Sequence, residues 1–193
     1  GNTSTDALIL AEIRLPRALL AICIGISLAL SGAALQGLLI NPLASPDLLG
    51  VSQSGVLVAV LVLYYGLASI SWFIVPLAAM SGALIAVAFI FSLAGKYQGA
   101  LTIILIGIAI NAITSAMTSL ALNFAPNPFA LQEIYFWMLG SLSNRSSNEL
   151  FFAFPFMLLG WILIFPRKHF LDAMSLGEDT ALSLGFNLKK QKF

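Results

Sequence analysis

The sequence predicts an all-α, polytopic transmembrane helical bundle of about five spans, with a short interfacial helix and a pair of short cytoplasmic helices, and three observations support this. Hydrophobic residues fill 60% of the 193 positions and charged ones only 9%, against a usual ~25% charged in soluble domains; mean hydropathy is +0.99. Residues 18–40 form an apolar run with no charge, long enough as a helix to cross a hydrocarbon core of ~30 Å. Within that run Gly25, Ala29, Ala33 and Gly37 recur four apart, a ridge of small residues on one helical face that lets a neighbouring helix approach closely in lipid.

Residues 1–12, polar and then mixed, lack the basic region of a signal peptide and read as a water-facing loop. Residues 18–40 are the first span. The second covers about 49–67, interrupted by the small and polar stretch 68–71. The third covers about 72–93, with Pro76 in its first turn, where a missing N–H costs little. The fourth is 100–122. The fifth, about 150–165, is short for a perpendicular span, so its start is expected a few residues upstream. Between the last two, residues 123–128 carry a turn signature and 129–140 are aromatic-rich. Tyr135, Phe136 and Trp137 suit a short helix near the water–lipid boundary, followed by an exposed loop at 141–148.

Orientation follows from the cations. With the end of the fifth span inside, Lys96, Arg167, Lys168, Lys189, Lys190 and Lys192 are cytoplasmic, and Arg14, Arg17 and Arg145 lie outside. The majority obeys the positive-inside rule. The two N-terminal arginines oppose it, which points to another task for them.

The fourth span holds the main polar constellation. Gly107, Asn111, Thr114, Ser115 and Thr118 share one helical face, and polar groups in lipid need partners. That face serves either hydrogen bonding between helices or a watery passage. None of the five spans carries Asp, Glu, Lys, Arg or His well inside it. Carriers coupled to ions or protons use such a charge at membrane depth, so its absence argues for transport powered from outside the membrane, and against an intramembrane protease or redox enzyme. His169 follows Arg167 and Lys168 and reads as a solvated interfacial residue; Cys23 reads as a small buried apolar one. No nucleophile–base pair, metal-ligand spacing or glycine-rich phosphate loop occurs. The chain is therefore expected to be no enzyme, to hold no cofactor and no metal, and to leave any nucleotide to a partner. No basic run suggests nucleic acid.

After the fifth span, Gly177 and Gly185 punctuate two short helical pieces, with Glu178 and Asp179 opening the second, where acidic residues suit a helix start. Leu171, Met174, Leu182 and Leu184 supply apolar contacts. This is either a helix on the membrane surface or a docking element for a cytosolic protein.

Several separated motifs occur together in this order: Arg14-Leu15-Pro16-Arg17, Ser31-Gly32 with Gln36, Asn41-Pro42-Leu43-Ala44-Ser45-Pro46, Leu49-Gly50-Val51, Trp137-Met138-Leu139-Gly140-Ser141, and the stretch from Leu176 to Gly185. Through them the chain resembles, over nearly its whole length, the permease subunits of the iron-siderophore, haem and vitamin B12 class of bacterial ABC importers. The resemblance implies one multi-pass permease domain over residues 1–193 in the bacterial cytoplasmic membrane, with coupling helices at 170–186. It implies that Arg14 and Arg17 face the periplasm and meet acidic residues of a periplasmic or lipoprotein substrate-binding protein. Asn41, Pro42 and Leu43, near Ala100 and Leu101, would form the cytoplasmic gate. In the passage alternative read above from the polar face of the fourth span, Gly107, Asn111, Thr114, Ser115 and Thr118 are the residues that line the pathway. Leu176, Gly177, Glu178, Asp179, Ala181, Leu184 and Gly185 would dock the ATP-binding subunit. Other implied partners are a second permease copy or homologue and membrane lipid, and the implied cargo is an iron-siderophore, haem or cobalamin-type molecule. Family members carry a second half of further spans, so the chain corresponds to a portion that begins after the first span and ends just past the coupling helices. The alternative is a truncated, non-transporting remnant or scaffold. Ile40 also departs from the pattern, since many relatives carry a polar or charged residue before Asn-Pro.

Overall fold

The computed structural model describes residues 7–95, 99–125, 128–143 and 147–186, and these are all-α. They form two compact units, one from the described residues of Gly1–Pro42 and Ser141–Phe193, the other from those of Leu43–Gly140.

In the first unit the opening helix starts earlier than the apolar run suggested. Helical structure runs from Ala7 to Leu39, with a π-helical turn at Leu10–Arg14 leading into α1, Leu15–Leu39. Residues 7–12 are therefore helix where a loop was expected, because Leu8, Ile9, Leu10 and Ile13 extend the apolar pattern. The wide turn sits just before Pro16, whose ring cannot accept the ordinary hydrogen-bond geometry of the preceding turn. At its other end α1 stops on Ile40, in the left-handed region at φ 49° and ψ 41°. The Asn41 N–H closes back on the Gln36 carbonyl at 3.1 Å, and Pro42 bars any continuation.

The last long helix, α6 (Ser147–Ile164), passes through a 3₁₀ turn at Phe165–Arg167 into α7, Lys168–Ser175. Its start at 147 is the upstream extension that the short apolar run called for. Trp161 on α6 donates through Nε1 to Ser27 Oγ on α1 at 3.1 Å, and Ser27 donates to the Cys23 carbonyl at 2.8 Å. The α1 face that meets α6 is thus the one bearing Cys23 and Ser27. Of the small-residue ridge, Gly37 meets α7, where a methyl group would sit 3.1 Å from the Leu171 carbonyl oxygen, while Gly25 opens onto space.

The second unit contains α2 (Val51–Tyr64), α3 (Ile74–Ala94), α4 (Ala100–Asn123) and α5 (Pro128–Leu139). Helix α2, with 14 residues, rises about 21 Å at 1.5 Å per residue and falls short of a full span. Four described helical stretches reach spanning length: Ala7–Leu39, Ile74–Ala94, Ala100–Asn123 and Ser147–Ser175. The second apolar run yields a shorter helix because prolines 42 and 46 hold residues 43–50 in turns and Gly66, at φ 67°, ends it. Those turns are internally bonded (Gly50 N–H to the Asp47 carbonyl at 3.1 Å, Val51 N–H to that of Pro46 at 3.3 Å) and bury Ala44, Leu49 and Gly50. Irregular backbone is tolerated near a membrane under those conditions.

Glycines set the spacing in this unit. A methyl at Gly55 would lie 2.9 Å from the Ala79 carbonyl oxygen, and one at Gly82 only 2.6 Å from that of Ser54. So α2 and α3 cross backbone to backbone. Gly107 on α4 abuts Leu49, and Gly50 abuts the Asn111 backbone, in the same way. Ala59, Val60, Leu63, Val75 and Ile134 form the core. Ile134 belongs to α5, the expected short aromatic helix, whose Tyr135 and Phe136 stay exposed.

Candidate functional site

In the first unit α7 and α8 (Glu178–Ser183) form a compact reversal. It turns on Gly177 at φ 110° and ψ 154°, a conformation essentially closed to residues with a Cβ. The Gly177 N–H caps Met174 at 2.9 Å, and Ala181 N–H bonds back to the Gly177 carbonyl at 3.1 Å. Gly185, at φ 87°, ends α8, where Phe186 N–H returns to the Ala181 carbonyl at 3.1 Å. The inner side is dry: Phe170, Ala173, Met174 and Ala181 are buried together, flanked by Leu38, Leu171 and Phe186. The outer side exposes Leu176 (71%), Leu184 (61%) and Leu182 (53%) beside exposed Asp179. Of the residues expected to couple, Ala181 is therefore a core residue, and Gly177 and Gly185 shape the turns. Leu176, Leu184 and Asp179 face outward.

Next to this reversal lies a cavity of about 600 Å³ whose lining includes Gln36, Gly37, Ile40, Asn41, Lys168 and Asp172. The Asn-Pro end of α1 thus borders α7 within one unit. The division between units falls just after Pro42, so the expected gate residues Asn41 and Pro42 belong to one unit and Leu43, Ala100 and Leu101 to the other. Leu43 is 81% and Leu101 70% exposed.

Arg14 and Arg17 ride on the first helical stretch, one turn apart. Arg14 is exposed and Arg17 half-buried. Arg17 donates through Nη2 to the Ser143 carbonyl, while its Nε is buried without a hydrogen-bond partner among the described residues. Arg145, Lys96, Lys189, Lys190 and Lys192 lie outside the described residues.

The polar face of α4 is partly turned on itself. Thr114 donates to the Ile110 carbonyl and Thr118 to the Thr114 carbonyl, each at 2.8 Å, and buried Thr118 accepts from Gln53 Nε2 of α2 at 3.4 Å. Asn111, Thr114 and Ser115 remain half-buried. Sequence reasoning passed over Gln53, although an amide inside an apolar run needs a partner. It also passed over Ser27 with Trp161, and Ser143, whose bond to Arg17 joins positions far apart in sequence. Among the described residues no group of three or more His, Cys, Asp or Glu side chains could hold a metal ion.

A family model described as the FecCD transport family matches residues 1–193. The chain belongs to the FecCD transport family. Among its relatives, the molybdate import system permease protein MolB of Haemophilus influenzae is 34% identical over 93% of this chain and 53% of its own length. The iron(3+)-hydroxamate import system permease protein FhuG of Bacillus subtilis is 31% identical over 99% of this chain and 59% of its own. A solved ABC transporter structure, assigned to the metal-chelate type and in an inward-facing conformation, superposes with a TM-score of 0.88 at 28% identity, over 98% of this chain and 60% of that one. The chain thus spans somewhat over half the length of these relatives. Family membership and the long apolar helices make it a multi-pass protein of the bacterial cytoplasmic membrane.

Proposed function

We propose that this chain is the pathway-forming permease part of an ATP-driven importer whose cargo is an iron-siderophore, haem or cobalamin-type molecule, and that it docks an ATP-binding subunit through α7 and α8. The α7–α8 reversal is the observation that carries this reading. A buried inner side fixes it to α1, while three exposed leucines and an aspartate project from an element too short to span a membrane. A rigid, outward-facing apolar and acidic knob of this kind suits a protein socket better than lipid headgroups, which favour basic faces.

In this reading both units belong to one permease domain, with 170–186 as its coupling element. Arg14 and Arg17 meet acidic groups of a substrate-binding protein, and Asn41, Pro42, Leu43, Ala100 and Leu101 form the gate. Asn111, Thr114 and Ser115 line the path, while Gly107 and Thr118 set the packing of α4 on its neighbours in the same unit. A second permease copy or homologue completes the pathway, and lipid covers the remaining apolar surface. ATP hydrolysis belongs to the partner. One relative's name carries molybdate and another's iron(3+)-hydroxamate, which supports a reading in which one fold serves different cargoes.

The test is retention of the ATP-binding subunit by the full-length permease in detergent. Leu176→Asp with Leu184→Asp, both at exposed positions, is expected to weaken retention about tenfold or more, as losing one well-packed apolar anchor does. Unchanged retention would overturn the docking role.

A further inference from the structure

We infer that Arg17 is a positioning residue, a latch that holds the 141–143 loop until a carboxylate of the docked binding protein takes over its guanidinium. This rests on the proposed docking role of the Arg14–Arg17 pair. The two arginines differ in state. Arg14 is exposed, whereas Arg17 is half-buried with Nη2 on the Ser143 carbonyl and Nε covered and unmatched among the described residues. A guanidinium presents Nε–H and Nη2–H side by side, a fork that fits both oxygens of one carboxylate. Here one tooth of that fork engages a neutral carbonyl, and the other engages nothing among the described residues. A buried donor left unmade is costly, so the latched arrangement is complete in shape but incomplete in bonding. An incoming carboxylate matches both teeth at once and adds a full opposite charge, where the carbonyl offers a single bond and no charge. Because Nε is covered, the guanidinium has to swing off Ser143 to receive it.

The loop is itself prepared for this. Ser143 N–H donates to Ser141 Oγ at 3.1 Å, and the two hydroxyls bond each other at 2.5 Å, so its turn is self-supporting, and the bond from Arg17 ties it to α1. Downstream lies α6, which continues through the 3₁₀ turn into α7 as one stretch, Ser147–Ser175. Releasing the loop therefore removes a restraint four residues before the start of the helix whose other end carries the coupling element, all within one unit. Arg14 supplies encounter and affinity; Arg17 converts docking into a change at α6.

The test measures two quantities on the full-length permease in lipid nanodiscs with its ATP-binding subunit: affinity for its extracytoplasmic binding protein, and amide hydrogen exchange at residues 141–143 and 147–150. Adding the binding protein to the unaltered permease is expected to speed that exchange. Arg17→Gln is expected to speed it about tenfold or more with no binding protein present, the population shift that loss of one charged hydrogen bond produces. Arg14→Gln should lower affinity and leave the exchange slow. Arg17→Lys keeps the charge but offers no fork, and should lie between Arg17→Gln and the unaltered protein in both readouts. Slow exchange in Arg17→Gln alongside weakened binding overturns the latch alone, and so does Arg17→Lys behaving as the unaltered protein. Unchanged affinity in both Arg14→Gln and Arg17→Gln overturns the docking reading and the trigger with it.

Discussion

Ile40 holds a conformation its side chain opposes. A β-branched residue in the left-handed region is a rare outlier, and the conformation costs roughly 1–2 kcal/mol in an L-residue. It persists because Gln36 caps two successive N–H groups there and Pro42 blocks the helical alternative. Asn tolerates this region far better, so Ile40→Asn is expected to raise stability by about 1 kcal/mol, read as a higher unfolding midpoint in detergent. A lower midpoint would mean that the contacts of Ile40 beside the cavity outweigh the strain. The sequence marks this position as the end of an apolar run before Asn-Pro, but nothing in an isoleucine announces a left-handed backbone. Arg17 is similar. Its defiance of the positive-inside rule made it conspicuous, yet its bond to Ser143 depends on a fold that brings together residues far apart in the chain.

Between elements, glycine and single polar pairs decide the geometry. Gly82→Leu would drive a side chain into the Ser54 carbonyl and Val58, which stand 2.6 Å and 2.7 Å from the first added carbon. Overpacking of this kind costs about 1–3 kcal/mol, and a drop in thermal stability should report it; a neutral variant would deny the close crossing of α2 and α3. In the other unit, Trp161→Phe keeps most of the ring and removes the bond to Ser27. A double-mutant cycle with Ser27→Ala should return a coupling of about 0.6–1 kcal/mol, the usual range for a hydrogen bond between membrane helices, and a coupling of zero would show the pair to be incidental. The long helices were legible because unbroken apolar length is a strong signal. The ridge on α1 was legible as composition but not as contact, since Gly25 opens onto space and the backbone-close contacts are made chiefly by Gly37, Gly50, Gly55, Gly82 and Gly107. A glycine shows that close approach is possible, and the tertiary fold decides where it is used. The shortness of α2 was hidden because the turns before it are themselves apolar and buried.

For the whole molecule, the apolar surface exceeds what the described helices bury between them. Leu84, Ile85, Leu101, Leu105 and Ile113 each expose more than half their area, as do many others facing outward, which in water would be untenable. Lipid and further protein helices are the environments that fit it. A basic residue on that surface should therefore impair insertion: Leu84→Arg is expected to cost about 2.5–3.5 kcal/mol near the middle of α3 and to reduce the amount reaching the membrane, and normal accumulation would place that face in a polar environment. Fold class was legible here because composition alone excludes a soluble core. The division into two units was not, since both carry the same kind of helix and the chain passes from one unit to the other after Pro42 and back after Gly140. The proposed power source is the claim on which the account depends, and membership of the FecCD transport family supports it. Uptake by the full-length permease with its ATP-binding and substrate-binding subunits in proteoliposomes, measured with labelled ferric siderophore, haem and cobalamin in turn, tests it most directly. The account predicts uptake of one of these that requires ATP inside and persists when proton and sodium gradients are collapsed. Uptake that continues without ATP and stops with the gradients would contradict it.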